Sequence, residues 1–403
     1  MNASRSPLVR QYSRRLVAEI LLKGEPISRA DLARTTGLSK QTMSEVIGEL
    51  ESGGWVRPVG VTTGGPGRNA VTFEIAAGAA FSLGVDLGGT KVSAALANLL
   101  GEIVAETTER TDPRGGRHVL DQLHRLALRL AAERGIDAAR IGSVVVGSPG
   151  VLDRASGAIA LVPNIGGLSE IDVVATLSGL FQRPVAIEND VNLAMLGEAW
   201  QGRARGCENA AFLSLGTGTG LGLIVNGKLV RGATGAAGEI SYLPVGPELR
   251  SAQALAVGAF ELEVGSHAIV RRFRAKGGEG AETVRDVFAR LEVGDPVSAA
   301  VLDETAQSLS LAIAALCSIL DPEMIVMGGS IGMRPELLAR LAAELPRVFA
   351  RPVVVVPSAL GNRAGLVGAL SSAVSTLHNQ LFGMAGLPGE IALPDVSIAR
   401  AAE

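Results

Sequence analysis

The sequence predicts an α/β body behind a small helical head, and three observations predict it. After residue 78, strand-like and helix-like segments alternate along the chain, the pattern of an α/β fold. Two glycine hairpins of the same form, GVDLGGTKVSAAL from Gly84 and LSLGTGTGLGLIVNGKL from Leu213 to Leu229, stand far apart in the chain and suggest a duplicated lobe. The first 78 residues read as a helix-turn-helix followed by a β-hairpin.

Composition narrows the class. A chain of 403 residues favours two or three domains, and 47% hydrophobic with 19% charged residues is a soluble globular composition. The net charge is −3, but residues 1–78 hold 10 basic and 7 acidic residues, so a net-positive head precedes an acidic remainder. That asymmetry points the head at nucleic acid. Cys207 and Cys317 are the only cysteines, which excludes a disulfide scaffold and a cysteine-rich zinc site and fits reduced thiols in the cytosol. Arg10, Arg14, Arg15 and Glu19 stand where a signal peptide needs an apolar run. The apolar segment LSLAIAALCSIL is shorter than the roughly 20 residues that span a bilayer. A cytoplasmic location with no membrane partner is expected.

In the head, Leu16, Val17, Ile20 and Leu21 recur at helical spacing. Ser28 and Asp31 make a capping-box pattern, Gly37 makes the turn, and Ser39 caps the next helix. There Met43, Val46, Ile47 and Leu50 form one buried stripe. Ser39, Lys40, Gln41, Thr42, Ser44 and Glu45 are then expected at the exposed N-terminal end, which is the end that enters a major groove. WVRPVG and AVTFEI read as two strands, the second with Val71, Phe73 and Ile75 on one face. The loop between them carries Arg68, placed to enter a minor groove. A helix-turn-helix with such a hairpin is a winged helix.

In the body, Asp86, Gly88, Gly89, Thr90 and Lys91 crowd the first glycine turn, and Gly216, Thr217, Gly218 and Thr219 the second. Backbone N–H groups in such turns can face phosphates. A third turn, IVMGGSI, with Gly328 and Gly329, suits an adenosine, and GSPG and VPNIGGL are further polar turns. In PVAIENDVNLAMLGEAW a strand runs into Glu188, Asn189 and Asp190 and then a helix. Asp190 fits two roles, a base taking a proton from an attacking hydroxyl or a helix cap. The four histidines show no ligand spacing.

These motifs together resemble the ROK family of sugar-responsive repressors and sugar kinases. GVDLGGTK resembles its first phosphate motif, LGTGTGLG its second, ENDVN its catalytic segment, and Gly232–Ile240 its GxxGAAGEI run. The resemblance implies a two-lobed actin-like ATPase body, with sugar contacts at Asn164, Asn189, Asp190 and Glu239. The winged head resembles the repressor branch. One departure stands out. After GEI the family has Gly-His and then a cysteine-rich zinc loop ending in a sugar-binding glutamate. Here Ser241 and Tyr242 follow, Tyr242 fills the histidine position and is expected among the ligand-binding residues, and no cysteine lies between 208 and 316. The resemblance therefore implies no structural zinc, no other metal site, and a pocket that has lost two sugar contacts.

The expected domains are the winged head at 1–78, a small lobe at 79–187 completed by about 365–380, a large lobe at 188–364, and a tail at 381–403. The expected function is a sugar-controlled transcriptional regulator, a repressor, acting as a homodimer or homotetramer on an inverted-repeat DNA operator. ATP and Mg²⁺ are possible ligands, without turnover. The alternative is an ATP-dependent sugar kinase with a regulatory DNA-binding head.

Overall fold

A computed structural model describes residues 7–62, 70–153, 156–160, 165–383 and 391–396. The chain divides into two units, one of residues 1–188 with 369–403 and one of residues 189–368.

The first unit opens with α1 (Pro7–Leu21), β1 (Ile27–Ser28), α2 (Arg29–Thr36), α3 (Lys40–Ser52), β2 (Val56–Thr62) and β3 (Ala70–Ile75). Local chemistry sets these bounds. The Ser28 oxygen accepts from the Asp31 N–H at 3.2 Å and its hydroxyl donates to the Asp31 carboxylate at 2.7 Å, which starts α2. Gly37, at φ 71°, takes the left-handed conformation that ends it. The strands order as β1-β3-β2. Phe73 and Ile75 are buried as expected, but Val71 is 43% exposed, because it lies toward the hairpin end opposite Val61, beyond β3's pairing with β1.

The head does not close its own core. Val17, Leu21, Met43, Ile47 and Leu50 pack in one cluster with Leu99, Leu377, Phe382 and Ile391, which come from the body and the C-terminal segment. A head of under 80 residues buries too little apolar surface to stand easily alone, and these residues extend its core.

The same unit continues with β4 (Phe81–Leu87), β5 (Lys91–Asn98), β6 (Ile103–Arg110), α4 (Gly116–Glu133), β7 (Ile141–Ser148), β8 (Val151–Leu152), β9 (Ile159–Ala160), α5 (Val173–Phe181) and β10 (Val185–Asn189). Its sheet runs β10-β7-β4-β5-β6, with β4 parallel to β7 and antiparallel to β5. Helix α4 lays Val119, Leu123, Leu126 and Leu130 into the core of this lobe.

The second unit holds α6 (Asp190–Gln201), β11 (Ala210–Leu215), β12 (Thr219–Val225), β13 (Lys228–Leu229), α7 (Ala252–Val257), α8 (Glu261–Val264), α9 (Ser266–Ala275), α10 (Val284–Glu292), α11 (Pro296–Leu320), β14 (Met324–Gly328), α12 (Gly329–Gly332), α13 (Pro335–Val348) and β15 (Val355–Pro357). A last helix, α14 (Ala364–Phe382), counts in the first unit from residue 369. The sheet order is β13-β12-β11-β14-β15. Two glycines of β12 let α6 approach: a Cβ on Gly220 would fall 2.7 Å from Val191 Cγ2, and one on Gly222 2.5 Å from the Val191 carbonyl oxygen. The LSLAIAALCSIL segment belongs to α11, whose 25 residues are long and apolar enough to cross a membrane by length and composition. Its Val301, Leu302, Leu309 and Ile313 are fully buried in the unit's core, which accounts for that apolarity.

Candidate functional site

In the second unit three carboxylates gather. Asn189, not Asp190, caps α6: its Oδ1 accepts from the N–H groups of Val191 at 2.9 Å and Asn192 at 3.2 Å. Asp190 is the first helical residue, and its Oδ1 accepts from the Val191 N–H at 2.8 Å. Burial pushes its carboxyl above the usual range, against the pull of that N–H. Glu239 is also pushed up, first by burial and then by the charges of Asp190 and Glu261. The segment carrying Glu239 lies on β12, where the Leu221 N–H donates to the Gly238 carbonyl at 3.1 Å.

Glu261, on α8, is the residue that sequence reasoning missed. Its Oε2 accepts from the Thr219 N–H at 2.9 Å and from the Thr219 hydroxyl at 3.3 Å. The resemblance implied a pocket that had lost two sugar contacts; Glu261 adds a third carboxylate beside Asp190 and Glu239. The signal available was Gly258 just before it. That glycine has φ 96°, and a Cβ there would meet the Ser241 carbonyl oxygen at 2.2 Å. Phe260 N–H then donates to the same Ser241 carbonyl at 3.0 Å, so the turn that delivers Glu261 is tied to the segment that carries Glu239.

Tyr242 is a different matter. It is 48% exposed, and its hydroxyl donates to the Ala256 carbonyl at 3.3 Å, so the proton it would offer a ligand is engaged in α7. Ser251 caps α7 through the Ala254 N–H at 3.0 Å. The residues do not fit a zinc ion here: a phenol stands in the histidine position. Among the described residues no group of three His, Cys, Asp or Glu side chains is arranged to hold a metal.

The glycine turns are largely self-satisfied. In the first unit Gly88 N–H donates to the Lys91 carbonyl at 2.9 Å, and the Thr111 hydroxyl donates to the Gly88 carbonyl at 2.6 Å. Asp86 pairs with Ser93 on one side and Gly147 on the other, which sets the GSPG turn beside the first phosphate motif. Thr90 and Lys91 are exposed, while Gly89 is half-buried. In the second unit Gly216 N–H closes on the Gly218 carbonyl at 3.0 Å, and Thr219 N–H is taken by Glu261. A phosphate there has only the remaining N–H groups of the turn, those of Thr217 and Gly218, to use. Gly328 and Gly329 have packing reasons of their own. A Cβ on Gly328 would fall 2.1 Å from the Phe212 ring, and Gly329, at φ 78°, sits against the Leu215 carbonyl oxygen.

On the head, Ser39, Lys40, Gln41, Ser44 and Glu45 are exposed, and Gln41 donates to Glu45 at 3.1 Å. Thr42 departs from the expectation. It is 4% exposed, on the face of Met43 and Val46, and its hydroxyl pairs with the Ser39 hydroxyl at 2.7 Å. The cap that starts the helix draws Thr42 inward, so it does not present a side chain to DNA. Arg68 and Asn164 lie outside the described residues.

The chain is similar to known proteins along nearly its whole length. The ROK family model matches residues 82–375, and the MarR family model matches residues 14–65. A glucokinase from Halalkalibacterium halodurans is 31% identical over 311 residues, 71% of this chain and 92% of that protein. A xylose repressor from Caldicellulosiruptor bescii is 26% identical over 392 residues, 92% of this chain and 97% of that protein. The crystal structure of a ROK family transcriptional regulator, a homolog of the E. coli MLC protein, superposes with a TM-score of 0.73 at 22% identity, covering 93% of this chain and 99% of that one. The fold class expected from the sequence holds, a winged helix ahead of an actin-like body. The chain belongs to the ROK family and carries a winged-helix head of the MarR type.

Proposed function

We propose that the protein is a transcriptional repressor whose hold on its operator is set by a sugar or other polyol bound at the Asp190, Glu239 and Glu261 carboxylates. One observation carries the reading: three acidic side chains in one another's field, two of them with raised pKa, in a chain headed by a winged helix. Half-buried carboxylates need donors, and ligand hydroxyls supply them. A ligand that favours one arrangement of the body over another shifts that equilibrium by its differential affinity, and the heads follow. The operator is an inverted repeat read by a homodimer or homotetramer in the cytoplasm, since one recognition helix reads only a few base pairs. Xylose and glucose head the list of ligands because relatives are named for them.

The protein needs neither zinc nor nucleotide turnover in this reading. Elemental analysis of protein purified without a His-tag should find far less than one zinc per chain. The kinase alternative draws on Asp190, whose raised pKa suits a base. Two assays decide between the readings. Operator affinity with and without each sugar should change for at least one of them. Coupled ATP turnover with the same sugars should match the Asp190→Asn blank. Sugar-dependent turnover at ordinary kinase rates, lost in that variant, would make the protein an enzyme.

A further inference from the structure

The helix that delivers Glu261 is four residues long, Glu261–Val264, and has no side-chain cap at its start. A single turn leaves most of its carbonyls unpaired and is costly to nucleate. Two fully buried side chains, Phe260 and Val264, anchor one side of it. The other side is held by adjacent arginines of α9. Arg271 Nη2 donates to the Leu262 carbonyl at 2.7 Å. Arg272 Nη2 donates to the Glu263 carbonyl and, at 2.8 Å, to the Thr305 hydroxyl of α11.

We propose that Arg272, assisted by Arg271, is the positioning residue of the ligand site, holding α8 so that Glu261 meets the Thr219 N–H. The proposal rests on the reading of the three carboxylates as a ligand site. Arg272 hydrogen-bonds to neither Glu261 nor Thr219 and acts through the Glu263 carbonyl of α8. Its side chain is only 16% exposed, and its Nη1 lies 3.8 Å from the Glu263 carboxylate and 4.0 Å from that of Glu304. Burial draws the guanidinium pKa down while those two carboxylates draw it up. Lys276 shares Glu304 at 2.7 Å, so that carboxylate is itself fixed. The fork geometry matters. One guanidinium nitrogen serves a carbonyl and a hydroxyl while the other faces two carboxylates, and an ammonium on a flexible stem cannot span both sets. Arg272 Nε is buried without a partner, so the hold depends on the two terminal nitrogens.

The test uses the full-length protein and the variants Arg272→Met, Arg272→Lys and Thr305→Val. The first readout needs no ligand: hydrogen exchange of the peptide spanning the β11–β12 turn. Arg272→Met should raise exchange at Thr219 about tenfold, with Arg272→Lys in between, because released α8 no longer keeps Glu261 on that N–H. The second is calorimetric affinity for glucose and xylose, which should weaken about tenfold or more in Arg272→Met and recover partly in Arg272→Lys. Operator binding without sugar is measured beside both as the check on folding. If Arg272→Met does not fold, Thr305→Val, which removes one acceptor of Arg272 together with the hydroxyl's own bond to the Val301 carbonyl, should still show the exchange change in smaller degree. Wild-type exchange at Thr219 in these variants overturns the proposal. If the wild type binds neither sugar while Arg272→Met shows the exchange change, the positioning holds and the ligand reading falls.

Discussion

The Trp55 and Phe382 rings meet edge to face, centroids 6.3 Å apart and planes at 89°. One ring follows the recognition helix of the head and the other ends α14, the last helix among the described residues. Both belong to the cluster that completes the head's core, with Phe382 fully buried. Such a pair adds about 1 kcal/mol beyond area burial, and a phenylalanine-to-alanine change in a core costs about 3–5 kcal/mol. Phe382→Ala should therefore lower the melting temperature and weaken operator binding, although the residue is far in sequence from the recognition helix. Fluorescence anisotropy on operator DNA and a thermal melt check it. An unshifted melt with full DNA affinity would show that this ring carries no weight in the head.

Lys40→Ala should reduce the salt slope of operator binding by about 1, as expected for one lost phosphate contact. Gln41→Ala should cost about 1–3 kcal/mol at the cognate site and little on unrelated DNA. Arg68→Ala should weaken binding through the minor groove. Thr42→Val separates stability from readout. It removes the hydroxyl pair with Ser39 and should lower stability by about 1 kcal/mol with sequence preference unchanged. Titrations at three salt concentrations give both quantities.

Glu198 is fully buried on α6 and accepts from the Ser358 hydroxyl, from the Leu360 N–H at 3.1 Å and from the Arg203 N–H at 2.7 Å. Glu198→Ala would leave the buried Ser358 and Leu360 donors unpaired, at about 1–3 kcal/mol each, while the exposed Arg203 N–H can turn to water. A loss of about 3 kcal/mol or more in urea unfolding is expected. A loss under 1 kcal/mol would mean that water replaces the carboxylate.

Asp190 and Glu239 have raised folded-state pKa values, chiefly from burial. A raised carboxyl binds its proton more tightly when folded. The resulting stabilisation is complete below the unfolded values, about 3.9 and 4.3, and is lost as pH rises through the folded ones. Asp190→Asn removes one half-buried charge and relieves Glu239. It should raise neutral-pH stability by on the order of 1 kcal/mol and weaken the response to sugar, the usual trade at a binding site. Melting temperatures at pH 5 and pH 8 test it, and a variant less stable than wild type at pH 8 would contradict it.

His378 works in the opposite sense. It is fully buried, its Nε2 donates to the Leu99 carbonyl at 2.8 Å, and its Nδ1 has no partner. Burial lowers its pKa, against the pull of that carbonyl. The unfolded chain then binds the proton more readily, so stability held above about pH 6.5 is lost as pH falls below it. His378→Gln should flatten the decline between pH 7 and 5.5 in thermal melts.

What the sequence determined alone lies within a few residues of chain. Ser28 with Asp31, Ser39 before α3, the Met43-to-Leu50 stripe and both glycine hairpins are read from spacings of three or four residues, where caps, helical periodicity and turns are decided. The tertiary structure decided the rest. Thr42 turned inward because the cap and the core claim the same face. Asn189 took the cap that Asp190 was weighed for, because its Oδ1 reaches two N–H groups at once. Glu261 reached the Thr219 N–H from 42 residues away, and Ile391 closed a core begun at Val17. Contacts of that range are formed by packing between distant segments, and no local pattern records which distant side chain fills a given place.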